Sequence, residues 1–473
     1  MYGLSTLFLL ISLSSQWMVM GVEPDYRALL KDALGFFDAQ RSGPSQAKDM
    51  PWRRPSHLED GKAMNWNLSG GYYDAGDYVK FGLPGAFAMT TIAQSIIMYE
   101  NGHRRAGTLD KARRTLKHGL DYLLRCHVSA DQLVIQIGDP GIDHRYWGAP
   151  EDEPLAQYPR PIFVASPQWP ATEPVAEAAA AMAAGFLVFQ SVDPVYAVKL
   201  LHHAQQLLDL ASHYPGIYQG AIQKQILQLP PGPYLGVQNS YESSGYVDDL
   251  AWASTWVHLA TKNTTFLEKA IQYFDEASLE DILQDNYQGW DDKSLGTAIL
   301  LSWITKDEER LEDLKEYANS LSQATRTPGG LFWLPDSRDA ACNVALSAAY
   351  TAYLMYDLGL VNDARLLTFA TSQVKYILGE NPINQAYVVG STMEGKSPRN
   401  LHHASSQGVP HGAGEMYMLD PKPNRWTIPG AIVGGPRFND TWEDNRVEFQ
   451  ATEPALDYNA AWVMVLSREA AFR

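Results

Sequence analysis

The chain has 473 residues, of which 45% are hydrophobic, and a formal charge of −17. That length could fill about three average domains, yet no Ser/Gly/Pro-rich linker, low-complexity run or block of like charge divides it. One large domain is expected, and the acidic balance excludes nucleic acid, which needs a cationic face, as well as anionic lipid. A neutral substrate fits.

The opening stretch, MYGLSTLFLLISLSSQWMVMG, is apolar, short for a bilayer span and free of charged side chains before Glu23. It reads as a secretory signal over 1–22, with an uncleaved anchor as the alternative. The remainder, 23–473, is then a secreted, extracellular domain with no membrane attachment, expected to be a monomer. Cys126 and Cys342 both sit in apolar helical patterns. A disulfide and two buried thiols are both open, and no zinc-type spacing exists. Asn67, Asn263 and Asn439 head glycosylation sequons.

Helical periodicity recurs at 26–40, 86–99, 108–125, 173–190, 194–212, 247–261, 264–278, 292–304, 307–322, 341–358, 361–378 and 454–471, while sustained two-residue alternation is scarce. Every second connection is long and rich in Trp, Tyr, His, Gly, Pro and Asp; the others are short. Antiparallel helices with that alternation gather all the long loops at one end. The expected fold is all-α, an (α/α)6 barrel with an inner and an outer ring of six helices. A helical solenoid competes, but no fixed-period repeat supports it.

The long loops carry the chemistry. In the first, GGYYDAGDYVKF (70–81), small residues between Asp74 and Asp77 let the backbone bend so that both carboxylates face one cavity. Such a pair titrates together and suits activating a water. A lone D-x-x-D is also simply an Asp-rich turn before a helix. Trp52 precedes it. The next loop, QIGDPGIDHRYWGAPEDEP, offers His144, Tyr146 and Trp147, either aromatic faces for a sugar ring or a surface loop pinned by Pro150. In NSYESSGYVDDLAWASTW, Asp248 and Asp249 favour a helix N-terminus. Trp290 and Trp333 come from two further loops, as core plugs or as parts of a groove. The last loops bring the tandem His402-His403, then Asp444, Arg446, Glu453 and Tyr458. Paired histidines without a third ligand make a poor zinc site. Placing Glu453 just before a helix starting at Pro454 lets the dipole favour its ionised form. Asp74, Asp77 and Asp444 would oppose this and raise its pKa.

These motifs, with Gln40-Arg41-Ser42-Gly43, Lys80-Phe81-Gly82, the GENPINQAYVVG segment and TEPALDYNA, resemble glycoside hydrolase family 9, the inverting cellulases, in its animal-type single-domain secreted form. The resemblance implies an endo-β-1,4-glucanase acting on a polysaccharide, with Asp77 as general base, Asp74 holding the water and Glu453 as proton donor. Asp444 matches the acidic residue expected nine positions before Glu453. His402, Arg446, Tyr458, Trp52, His144, Tyr146, Trp147, Trp290 and Trp333 would position sugars. No cofactor is needed for the chemistry. Some members hold a structural Ca²⁺, for which Ser244, Gly245, Asp248, Asp249 and Asp291 would be the oxygen ligands. Three departures stand out: Asp249 where Glu is commoner, Phe449 where Tyr is common, and Ala404 where Arg usually follows the paired histidines. Inversion requires the acid and base carboxyls roughly 6.5–9.5 Å apart. Exo-cleavage, a mixed-linkage or glucosamine-containing glucan, and a binding protein without turnover are the alternatives.

Overall fold

The computed structural model describes residues 23–44, 50–278, 286–335, 337–391, 396–410 and 414–473, so the signal expected over 1–22 lies outside the described residues. Helices dominate: α1 (Tyr26–Ala39), α2 (Gly82–Arg105), α3 (Leu109–Cys126), α4 (Pro140–Asp143), α5 (Thr172–Phe189), α6 (Pro194–His213), α7 (Tyr218–Ile226) and α8 (Val247–Thr261) come first. They are followed by α9 (Thr264–Glu276), α10 (Ser294–Thr305), α11 (Glu308–Gln323), α12 (Ser337–Asp357), α13 (Ala364–Ile377), α14 (Ala404–Gln407), α15 (Phe449–Thr452) and α16 (Leu456–Phe472). All twelve helices expected from periodicity are present, and the fold is the (α/α)6 barrel.

Contacts define the two rings. Helices α2, α5, α8, α10 and α12 each touch the next, and α16 closes the circle between α12 and α2. Around them α1 packs on α16, α3 on α2, α6 on α5, α9 on α8, α11 on α10 and α13 on α12. Burial follows: α5 is buried almost all round, whereas α9 buries only Ala270 and Phe274. Helix α5 alone among the described helices is long and apolar enough to cross a membrane, but 89% of it is buried in this ring. Its run Ala178–Ala184 (broken by Met182) leaves room for neighbours to approach closely.

The short connections end on caps. Asp193, Asn263, Asp307 and Asp363 accept N–H bonds from the first turns of α6, α9, α11 and α13. Among the described residues, inner helices α2, α5, α8, α10 and α16 start without a side-chain cap, at the end where the long loops gather. Helix α16 starts at Leu456, not Pro454: Ala455 is still extended (φ −130°, ψ 164°), and the Asp74 carbonyl accepts the Leu456 N–H at 3.0 Å. That bond ties the last inner helix to the first long loop.

A small antiparallel sheet was not anticipated. Strand β3 (Gln132–Ile137) pairs with β1 (Lys80–Phe81), β2 (His127–Ser129) and β4 (Ile162–Ala165). The register Lys80↔Ile137 and Phe81↔Gln136 pins the exit of the Asp74–Asp77 turn. Cys126 and Cys342 are both buried free thiols, not a disulfide.

Candidate active site

The turn between Asp74 and Asp77 meets Glu453 from the far end of the chain. The Gly76 N–H donates to Glu453 Oε1 at 2.8 Å. A side chain at Gly76 is excluded, since a Cβ there would lie 2.1 Å from the His402 carbonyl oxygen and 2.8 Å from Glu453 Oε1. Among the described residues no hydrogen bond joins the Asp77 and Glu453 carboxylates, although the Asp77 charge acts on Glu453.

Each acid has a distinct environment. Asp74 is buried; Tyr241 donates its hydroxyl to Asp74 Oδ2 at 2.5 Å, and among the described residues Oδ1 has no hydrogen-bond partner. Burial and the Asp77 charge push the Asp74 carboxyl well above its usual range, against the pull of Tyr241. Asp77 is more open: its Oδ1 accepts the Ala75 N–H at 3.3 Å and its Oδ2 lies 3.4 Å from His144 Nε2. Burial opposes charge on His144, but Asp77, Asp143 and Glu453 outweigh it and lift the imidazole to about 9. Asp143 binds the Tyr78 N–H at 3.0 Å, and burial with the Asp77 charge raises it to about 6.

Glu453 does not sit at a helix N-terminus. It follows α15 in extended conformation (φ −83°, ψ 131°), with Ala455 as the residue that caps α16. The expected pull of the dipole therefore drops out. Burial first, then Asp77, raises Glu453 to about 8, only partly offset by the Gly76 N–H. A protonated carboxylic acid at neutral pH results.

Asp444 does not contribute to that shift. Its carboxylate takes the N–H groups of Arg399 (3.1 Å) and Asn400 (2.9 Å), fastening the segment that leads to His402. His402 Nδ1 donates to the Arg446 carbonyl at 2.7 Å; because a carbonyl only accepts, Nε2 is left as an acceptor. Burial holds this imidazole down to about 4. His403 bonds Gln40 at 2.8 Å, and Gln40 in turn donates to the Tyr73 and Ala75 carbonyls.

Several expected sugar contacts are otherwise engaged. Arg446 is buried, with four of its five donors on Asn424 Oδ1, the Asp420 carbonyl and the Lys422 carbonyl. Tyr146 and Trp147 are also buried, in a small cluster with Tyr73, Tyr78 and Ala404. The Trp147 indole N–H is spent on Gln407 at 2.5 Å, and the Tyr146 hydroxyl on the Ala149 carbonyl at 2.8 Å. Trp147 packs edge-on against His402, so it braces that ring. Half-buried Trp290 packs edge-on against Tyr241, beside Asp74. Trp333 meets Phe438, Trp52 stacks parallel to Trp426, and Tyr458 lies in the first turn of α16 near Glu453 and Asp74. Tyr241 is the residue that sequence reasoning passed over; it lies in a segment read for its serines and acids, with no local mark of its contact to Asp74.

The calcium candidates divide. Asp249 is fully buried with its Oδ1 2.8 Å from Lys293 Nζ, so a lysine ammonium already occupies the place of a cation there. Asp248 Oδ2 accepts the Lys293 N–H and Asp291 Oδ1 the Ser244 N–H, each at 2.8 Å. Asp249 does not fit a shared ion with the others; Asp248, Asp291 and the Ser244 and Gly245 carbonyls retain oxygen donors suited to calcium.

The sequence profile described as glycosyl hydrolase family 9 matches residues 26–466. Endoglucanase A of Bacillus pumilus is 36% identical over 454 residues, covering 93% of this chain and 65% of its own length. Endoglucanase 3 of Oryza sativa subsp. japonica is 36% identical over 479 residues, covering 94% and 91%. The chain thus spans less than two thirds of the bacterial relative and nearly all of the plant one. Among solved structures, the endoglucanase of the termite Nasutitermes takasagoensis superposes with a TM-score of 0.87 at 34% identity, covering 95% of this chain and 99% of that one. The cellulase Cel9M of C. cellulolyticum in complex with cellobiose gives 0.84 at 32% identity, covering 95% and 99%. Matched along nearly its whole length, the chain belongs to glycosyl hydrolase family 9.

Proposed function

We propose that the protein is a secreted endo-β-1,4-glucanase that cleaves internal bonds of cellulose or related β-glucans with inversion. The observation that carries this is the Gly76–Glu453 bond, which sets a proton-bearing carboxyl against the turn holding Asp74 and Asp77. Asp77 takes a proton from water as its oxygen attacks the anomeric carbon. Asp74 Oδ1, buried and without a hydrogen-bond partner among the described residues, accepts the water's second hydrogen and fixes its direction. The glycosidic C–O bond breaks, and Glu453 gives its proton to the departing oxygen; exchange with solvent then resets both acids. His402 Nε2 accepts from a sugar hydroxyl, and the faces of Trp290 and Trp333 line the groove. A Ca²⁺ ion held by Asp248, Asp291, Ser244 and Gly245 would brace the loop before α8 and take no part in the chemistry; a melting temperature unmoved by EGTA and by added Ca²⁺ removes it from the account.

A panel of carboxymethyl cellulose, barley glucan, lichenan and chitosan, read by viscosity and by reducing ends, tests the activity. Wild type is expected to thin carboxymethyl cellulose faster than it releases ends, with Asp77→Asn and Glu453→Gln slower by about 10²–10⁴-fold. Tight oligosaccharide binding without turnover by wild type would replace this reading with that of a binding protein. Amino-terminal sequencing of the exported protein tests removal of residues 1–22.

A further inference from the structure

Behind the catalytic turn runs a buried chain of polar side chains that the proposed chemistry does not use. Glu153 Oε2 lies 2.7 Å from His57 Nε2, with both side chains almost fully shielded (1% and 2% exposed). His57 Nδ1 lies 2.7 Å from the Tyr73 hydroxyl, which is itself 2.7 Å from Ser56 Oγ. Tyr73 immediately precedes Asp74, and its ring packs edge-on against Tyr78, the residue after Asp77. His57 has φ +50°, an uncommon backbone state for a side-chain-bearing residue. Such strain persists where surroundings over-determine it, here through two bonds to one imidazole.

We infer that Glu153, His57 and Tyr73 form a proton relay that positions the Asp74–Asp77 turn and can run in either hydrogen-bond direction. With Glu153 protonated, its O–H donates to His57 Nε2, Nδ1–H donates to Tyr73, and Tyr73 donates to Ser56. With Glu153 ionised, Nε2–H donates to the carboxylate, Nδ1 accepts from Tyr73, and Ser56 donates to Tyr73. The two states differ by one proton, released to solvent, and no heavy atom need move. His57 stays neutral in both, since burial and then Arg160, Lys80 and Arg53 disfavour its cation while Asp60 opposes them. Burial and Asp143, aided by Asp60 and Asp77 and countered by Arg160, raise Glu153 to about 8, within reach of ordinary buffers.

These are positioning residues, and the inference rests on the hydrolase reading only for its kinetic arm. In ¹⁵N-histidine NMR of the wild-type protein, His57 is expected to change from Nδ1–H to Nε2–H between pH 6 and 9 without becoming an imidazolium. In Glu153→Gln, whose amide donates like the protonated acid, it stays Nδ1–H. Tyr73→Phe, which keeps the ring and removes the hydroxyl, is expected to lower kcat about tenfold with KM within twofold, as for a misplaced catalytic group. A single His57 tautomer across that range, or kcat unchanged in Tyr73→Phe, overturns the relay. A wild type inactive on every β-glucan overturns the hydrolase reading instead, and the NMR arm still decides the relay.

Discussion

Glu453 shows how one residue's surroundings set its chemistry. In the folded chain it keeps its proton to about 8, whereas an unfolded glutamate releases it near 4.3. Between those values the unfolded state binds fewer protons, so this group lowers stability as pH rises. Two outcomes follow: kcat/KM declines above about pH 8 as the acid is lost, and Glu453→Gln melts at a higher temperature than wild type near pH 7 while losing activity. Equal melting temperatures across pH 5–8 would contradict the burial argument. Gly76→Ala drives a Cβ into the His402 carbonyl and the Glu453 carboxyl; a loss of at least about 10²-fold in kcat/KM is expected, since small misplacements cost that much. Asp74 and Asp77 stand out through the small residues between them, and Glu453 through the TEPALDYNA motif. The fate of Arg446, Tyr146 and Trp147 was not legible, because a side chain's type does not reveal whether its donors and faces are already taken by its own chain.

At the scale of elements, the helices were legible because each outer helix alternates a buried stripe with a wet one, and Asp or Asn caps mark five of the six outer starts. The sheet was not. Strand β1 has two residues, and β3 is buried on both faces at all but its first position, so neither shows the alternation that marks a strand. Helix α16 starts two residues beyond Pro454 because Ala455 stays extended, which a proline suited to a first helical turn does not reveal. Close helix crossings make paired predictions in α2. Gly102 faces α16, where a Cβ would lie 1.9 Å from the Ser467 carbonyl oxygen, while no atom of the described residues lies within 4 Å of a Cβ at Gly85. Gly102→Ala should lose about 1–3 kcal/mol or more in urea unfolding, and Gly85→Ala should gain about 1 kcal/mol from helix propensity. Similar values for the two would refute the packing described.

Across the whole molecule, two rings of helices enclose charge as well as apolar surface. Lys293 is fully buried 2.8 Å from Asp249 and 3.9 Å from Glu177, joining the approaches to α10, α8 and α5 beneath the loop end. Lys293→Met leaves those acids without a cation and should cost about 3–5 kcal/mol in urea unfolding; an unchanged midpoint would show that the cluster is not held as an ion pair. The same enclosure brings the loop of residues 70–81 against the loop ending at Glu453, where the Gly76 N–H meets Glu453 Oε1. The inverting reaction proposed for them attacks from the face opposite the leaving group. ¹H NMR of the first product formed from a cello-oligosaccharide reads this directly: the account predicts the α-anomer ahead of mutarotation, and a first product with the β configuration would contradict it.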